Sequence, residues 1–233
     1  LLAGRRRRVV GPLVAAGRYD GIAPTIGCVE HFVVLCDRSQ LPASAALKLE
    51  AYEDWIDAGR EGYHWPEFDE RTASSLCYTS GTTGNPKGVL YSHRSTLIHA
   101  LAASQRDGFA LSSLDSVMPI APLFHANGWS LPYACPMVGA KLVLPGRHVD
   151  AASLCELLVG EGVTFSVGVP TIWTMLLAYT GEKGLKLETL ERCLVAGTAL
   201  PPAIQKALKD LHGVTAIHAW GMTETSPIGT LST

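Results

Sequence analysis

Several things are scarce in these 233 residues, and each scarcity excludes a class of protein. Charge is low and balanced: 19 Lys+Arg stand against 21 Asp+Glu, a formal net charge of -2, so no global field favours nucleic acid or an anionic lipid surface. No apolar run approaches the roughly 20 residues that a membrane-spanning helix needs. The first three residues, Leu1, Leu2 and Ala3, run straight into arginines and do not form the apolar core of a secretory signal. The six cysteines, at 28, 36, 77, 135, 155 and 193, form no C-x-x-C pair, which argues against a zinc ribbon or a dense disulfide framework. Single thiols of this kind read as buried side chains in a reducing compartment, so a cytoplasmic protein is expected. Internal repeats and low-complexity linkers are missing too. What is plentiful is hydrophobic residues, 47% of the chain, enough to bury a substantial core.

From about residue 30, short β-branched runs alternate with longer segments of helical period. Strands are predicted at 31–36, 75–79, 115–120, 140–144, 163–169, 192–196 and 214–219. Helices are predicted at 49–58, 94–104, 151–160, 170–178 and 201–211. The second of these would bury Leu97, Ile98 and Leu101. The last opens on prolines, sets Ile204, Leu208 and Leu211 on one face, and stops at Gly213. Strands alternating with helices predict an α/β fold with a largely parallel sheet. Arg5, Arg6, Arg7 and Arg8 read either as a phosphate-binding patch or nuclear address, or as a solvated or misread terminus. No other basic cluster supports the first reading, so residues 1–27 are expected to be unstructured.

Four segments carry chemistry. Residues 78–88, Tyr-Thr-Ser-Gly-Thr-Thr-Gly-Asn-Pro-Lys-Gly, gather three glycines, four hydroxyls and Lys87 between a predicted strand and a predicted helix. Glycines let backbone N–H groups turn inward, hydroxyls add donors and the lysine adds a point charge, a combination suited to polyphosphate. It is not the G-x-x-x-x-G-K-[ST] loop, because Gly88 follows Lys87. In 220–225, Trp-Gly-Met-Thr-Glu-Thr, Glu224 at the end of a strand is either an ordinary exposed carboxylate or a holder of Mg²⁺ carried by a nucleotide. The turn 196–201 is either a plain strand–helix junction or room for a flat base. His125, between Phe124 and Trp129, is either a satisfied core histidine or a polar group at the mouth of an apolar pocket. Gly128, Gly139 and Gly168 would give that pocket small walls.

Together, 78–88, 196–201 and 220–225 resemble the signature motifs of the AMP-forming adenylate superfamily, over roughly residues 28–233. Within it, 72–100 and 125–170 are most similar to bacterial medium- and long-chain fatty-acyl-CoA ligases, with methylmercaptopropionate-CoA ligases a close relation. The resemblance implies a partial large N-terminal domain, α/β with mostly parallel sheets, that uses ATP, Mg²⁺ and coenzyme A. Thr79, Ser80, Gly81, Thr82, Thr83, Gly84 and Lys87 would wrap the β- and γ-phosphates. Gly197, Thr198 and Ala199 would flank the adenine, with Trp220, Gly221 and Met222 beside it. Thr223 would reach the α-phosphate and Glu224 would bind the metal. His125 would stand near the carboxylate of the acid, and Trp129 and Gly168 near its acyl chain. Lys87, Thr223, Glu224 and His125 would thus carry the catalysis. The ribose-binding aspartate, the arginine beyond it, the hinge and the late lysine of the small C-terminal domain would lie downstream of Thr233. The chain is therefore expected to be a fragment, lacking also the first part of the large domain, that adenylates weakly or not at all by itself.

Overall fold

The computed structural model describes residues 7–12 (backbone only), 20, 21, 23–44, 46–57, 59, 62–79, 84–146 and 148–232. The chain divides into two units, residues 1–67 and 68–233.

In the first unit three parallel strands lie in chain order: β1 (Arg7–Pro12), β2 (Val29–Leu35) and β3 (Leu49–Ala51). Phe32, Val33 and Val34 of β2 are buried, and Val33 stands opposite Val10 on one side and Glu50 on the other. Two expectations are corrected here. Residues 7–12 form a strand although no element is predicted there, because β2 offers a free parallel edge to that segment. The predicted helix 49–58 starts late, as α1 (Tyr52–Asp57), since Leu49, Glu50 and Ala51 are drawn into the ladder with β2. Their helical propensity is a weak prior that tertiary pairing overrides.

The second unit has two sheets. One is an antiparallel hairpin, β4 (Ala73–Thr79) and β5 (Lys87–Ser92), closing with Thr79 opposite Lys87. The predicted passage from strand to helix around the glycine-rich loop is thus a passage from strand to strand. Ser92 then caps α2 (His93–Ser104) in a reciprocal capping box with Ser95. The other sheet is built from β6 (Ser116–Pro119), β7 (Lys141–Leu142), β8 (Phe165–Gly168), β9 (Arg192–Val195), β10 (Thr215–Gly221) and β11 (Ile228–Ser232). Its order is β11-β10-β9-β8-β6-β7, and every pairing is parallel except β10 with β11. Its central strands β6, β8 and β9 are buried along almost their whole length, as in a sheet covered on both faces.

Alternate residues of each strand feed two cores. Met118, Cys193, Val195 and Ala216 join one, while Val117, Leu194 and Ile217 join the other. The first core is closed by α4 (Ala151–Gly160) and α5 (Pro170–Lys183), through Leu154, Leu158, Trp173 and Leu176. The second is closed by α2 and α3 (Leu131–Val138), through Ala100, Ala103, Leu131, Ala134 and Cys135. Asp115 and Arg192 tie the sheet's lower rim: the guanidinium donates to Asp115 (2.8 Å) and to the carbonyls of Phe109 and Ala110.

Two amphipathic readings need correction. Leu97, Ile98 and Leu101 face outward on α2, because the helix approaches α3 through the small residues Ala100 and Ala103. The predicted helix 201–211 is α6 (Pro202–Ala207) followed by a wide π-turn, Leu208–His212, ending at Gly213 with φ 76°. The wider turn changes the spacing, so Leu208 is buried while Leu211 is 56% exposed.

Candidate active site

The connection leaving β6 runs to β7 on one side of it, while β8, β9 and β10 build outward on the other. Chain direction therefore diverges between β6 and β8, and crevices of this kind open at the carboxyl ends of the strands. A cavity of about 680 Å³ lies there.

Four parts of the chain line it. The hairpin contributes Tyr78, Thr79 and Lys87 from the two strand ends that flank the glycine-rich loop. The segment after β6 contributes His125, Ala126 and Trp129, and the end of β9 adds Ala196 and Gly197. The end of β10 and the turn beyond it contribute Gly221, Met222, Thr223, Glu224, Pro227 and Ile228. Lys87 and Glu224 are the two formally charged residues of this wall, a cation and an anion for a ligand bearing both phosphate and metal.

Each wall is held by hydrogen bonds to its neighbours. Tyr91 on β5 is buried, burial and the nearby Cys77 and Glu224 push its phenol up to about 12, and its hydroxyl donates to the carbonyl of Thr223. The hairpin and the turn that carries Glu224 are thereby joined. Beyond Thr223 the chain folds back on itself. The Met222 N–H donates to the Pro227 carbonyl (2.9 Å), as does the Thr225 hydroxyl. Gly221 is required by that return, because a Cβ there would stand 2.1 Å from the Pro227 carbonyl oxygen.

The segment after β6 has unusual backbone torsions. Ala126, Asn127, Gly128, Trp129 and Ser130 all have φ between 40° and 66°, a left-handed turn of five successive residues. L-residues resist this conformation by on the order of 1 kcal/mol each, so the turn must be pinned. Asn127 does so at one side, donating to the Ser75 hydroxyl and accepting from the Cys77 thiol (3.5 Å), both on β4. At the other, Ser130 bonds the Nδ1 of His99 (2.6 Å), whose Nε2 accepts the backbone N–H of Ile228 (3.0 Å).

The structure thus brings together Thr79, Lys87, His125, Trp129, Gly197, Gly221, Met222, Thr223 and Glu224. His125 is exposed to the cavity and is no core histidine, whereas Trp129 is buried in the wall. Gly84, Thr198 and Ala199 are exposed and stand outside the lining. So does Trp220, whose ring lies against Gly229 of β11. Gly168 is buried at the end of β8, where a Cβ would meet the Trp173 indole nitrogen at 3.3 Å. Gly139 caps α3 with φ 79°, so it serves the backbone of the fold and not the pocket. Ser80, Gly81, Thr82 and Thr83 lie outside the described residues. Sequence reasoning missed Tyr91, Asn127 and His99, whose bonding partners are remote in the chain.

Among the described residues no three His, Cys, Asp or Glu side chains cluster to hold a metal. A lone Glu224 flanked by Thr223 and Thr225 fits Mg²⁺ that arrives coordinated mostly by nucleotide oxygens.

Comparison with known proteins agrees with this geometry. The chain is 48% identical over 219 residues to a 3-methylmercaptopropionyl-CoA ligase of Ruegeria lacuscaerulensis, covering 94% of the chain and 40% of that protein. It is 49% identical over 205 residues to a medium-chain-fatty-acid–CoA ligase of Ectopseudomonas oleovorans, 88% of the chain and 38% of the relative. The chain thus spans about two-fifths of the length of these curated relatives. Among solved structures, the anthranilate CoA ligase AuaEII in complex with anthranoyl-AMP superposes with a TM-score of 0.81 at 25% identity, covering 97% of this chain and 43% of that one. A family model described as AMP-binding enzyme matches residues 23–233, and the chain belongs to that family, as part of the large N-terminal domain of an adenylate-forming enzyme.

Proposed function

We propose that this segment carries the ATP- and acid-binding site of an AMP-forming acid–CoA ligase that acts on a fatty or related aliphatic acid. The observation that carries this reading is the convergence of Lys87, His125, Thr223 and Glu224 from three separate elements on one cavity. The names of the relatives favour coenzyme A over other thiol acceptors and aliphatic over aromatic acids. Lys87 and the loop from Thr79 to Gly84, with Ser80, Gly81, Thr82 and Thr83 assigned from sequence alone, hold the β- and γ-phosphates. Thr223 reaches the α-phosphate. Gly197, Thr198, Ala199, Gly221 and Met222 border the base, with Trp220 nearby. His125 stands beside the carboxylate, and Trp129 with Gly168 bounds the acyl chain.

In the first half-reaction a carboxylate oxygen attacks the α-phosphorus and the bond to pyrophosphate breaks. Mg²⁺ on Glu224 would neutralise charge on the departing pyrophosphate. The protein's own part is placement: Lys87 balances phosphate charge, while the pinned turn keeps His125 and Trp129 at a fixed distance from Thr223. The thiol of coenzyme A then attacks the acyl carbon and AMP leaves. All six thiols of the chain are free, which supports a reducing, cytoplasmic setting. The near-neutral net charge of -2 supports small molecules as partners and not nucleic acid.

Calorimetric titration of the chain with ATP, with and without Mg²⁺, tests the reading. Binding that requires Lys87, weakens about tenfold in Glu224→Gln only when Mg²⁺ is present, and tightens for an acyl-sulfamoyl-adenosine is expected. Titrating mimics with short, medium and long acyl chains then ranks the acids. A folded chain with no nucleotide affinity would falsify the proposal.

A further inference from the structure

His99 sits on α2, outside the cavity wall, yet it is bonded to two of the segments that line the cavity. Its Nε2 accepts the Ile228 N–H at 3.0 Å, so that nitrogen must carry a lone pair and not a proton. The remaining proton is then on Nδ1, which donates to the Ser130 hydroxyl at 2.6 Å. Burial lowers the affinity of this imidazole for a second proton, in keeping with a neutral ring. Ser130 is buried and ends the left-handed turn that follows His125 and carries Trp129. Ile228 follows the return that carries Thr223 and Glu224, and it opens β11. One ring therefore bonds partners 31 and 129 residues further along the chain.

We propose that His99 is a positioning residue: as the neutral Nδ1–H tautomer it clamps the acid-side turn, through Ser130, to the nucleotide-side return, through Ile228. This rests on the reading of the cavity given above. It explains how a turn of unfavourable handedness is held in place relative to the return that carries Thr223 and Glu224. It also makes the two half-sites mechanically one, so that the geometry that receives the acid is set jointly with the geometry that receives the α-phosphate.

The test separates the two bonds. A glutamine oxygen reaches about as far as Nε2, so His99→Gln keeps an acceptor for Ile228 and loses the donor to Ser130. An asparagine amide reaches about as far as Nδ1, so His99→Asn keeps the Ser130 bond and loses Ile228. Each variant is titrated with Mg–ATP and with an acyl-sulfamoyl-adenosine, and its melting temperature confirms folding. His99→Gln is expected to bind Mg–ATP within about twofold of the parent and the acyl mimic about tenfold more weakly. His99→Asn is expected to lose about tenfold for Mg–ATP as well. Equal weakening of both ligands by both variants, or no weakening by either, overturns the clamp while leaving the site assignment intact. A parent chain that binds neither ligand overturns both. Independently of any ligand, imidazole ¹⁵N spectra at neutral pH, assigned by loss of the signal in His99→Gln, should show the Nδ1–H tautomer. An Nε2–H tautomer or an imidazolium refutes the proposal.

Discussion

Gly221→Ala is the sharpest perturbation of the turn that carries Thr223 and Glu224. The new Cβ would be placed 2.1 Å from the Pro227 carbonyl oxygen and 3.0 Å from its carbon. Ordinary contact begins at 3.4 Å, so one backbone must retreat by more than about 1 Å, and neither atom is the free end of a side chain. The carbonyl that moves accepts from the Met222 N–H at 2.9 Å and from the Thr225 hydroxyl. Two hydrogen bonds at about 1 kcal/mol each, plus residual overlap, give a local cost of about 2–4 kcal/mol. Residues 222–227 close β10 onto the edge strand β11 and bear no core cluster, so the turn can open without unfolding the sheet. The cost should then appear as lost ligand affinity more than as lost global stability. Calorimetry with Mg–ATP should show a weakening of about 30-fold or more, while the melting temperature falls by only a few degrees. An alanine variant with parental affinity would show that the return at Pro227 does not set the position of Thr223 and Glu224.

Other consequences are open to simple measurement. Tyr91→Phe removes the donor to the Thr223 carbonyl and should weaken Mg–ATP about fivefold by calorimetry with an unchanged circular dichroism spectrum. Arg192→Met leaves buried Asp115 and the carbonyls of Phe109 and Ala110 without their donor, so urea unfolding should show a loss of about 3 kcal/mol. Burial alone would raise the Asp115 carboxyl, but Thr164, Arg192 and the Ser112 N–H together hold it below its usual 3.8. Its contribution is therefore present above that value and lost as pH falls through the depressed one, and the methionine variant should lose stability at a higher pH than the parent. His212 is held neutral by burial and by nearby Lys186, accepting from the Leu187 N–H and bonding Thr180. A lowered histidine value means stability complete above 6.5 and declining as pH falls below it. His212→Gln should flatten that decline in urea unfolding between about pH 6.5 and pH 5, leaving the part due to His99.

The sheet was largely legible because its strands are buried on both faces and stand out as apolar β-branched runs between helices. The phosphate loop was legible for a different reason, since its glycines, hydroxyls and lysine are adjacent in the chain. What escaped depends on partners far away. The hairpin escaped because Lys87–Ser92 gains its strand character from pairing with β4. The outward turn of Leu97, Ile98 and Leu101 escaped because large apolar residues outweigh alanines in any periodicity, while helices pack closest through the alanines. His99, in the run Leu-Ile-His-Ala-Leu, carries no local mark at all, as its two partners are set only by the fold. The left-handed turn was hidden likewise: Asn127 and Gly128 tolerate its torsions, but Ala126, Trp129 and Ser130 do not advertise them.

That turn has a consequence for the acid site proposed above. A segment whose handedness is unfavourable at Ala126, Trp129 and Ser130 is held by its bonds to β4 and to α2 and not by its own torsional preference. On that proposal it serves as a wall and not as a gate, so selectivity on this side would come from the volume of the side chains it displays. Redesign for a new acid should therefore exchange Trp129 or its neighbours while sparing Asn127 and Ser130, whereas lengthening the segment would release the wall itself.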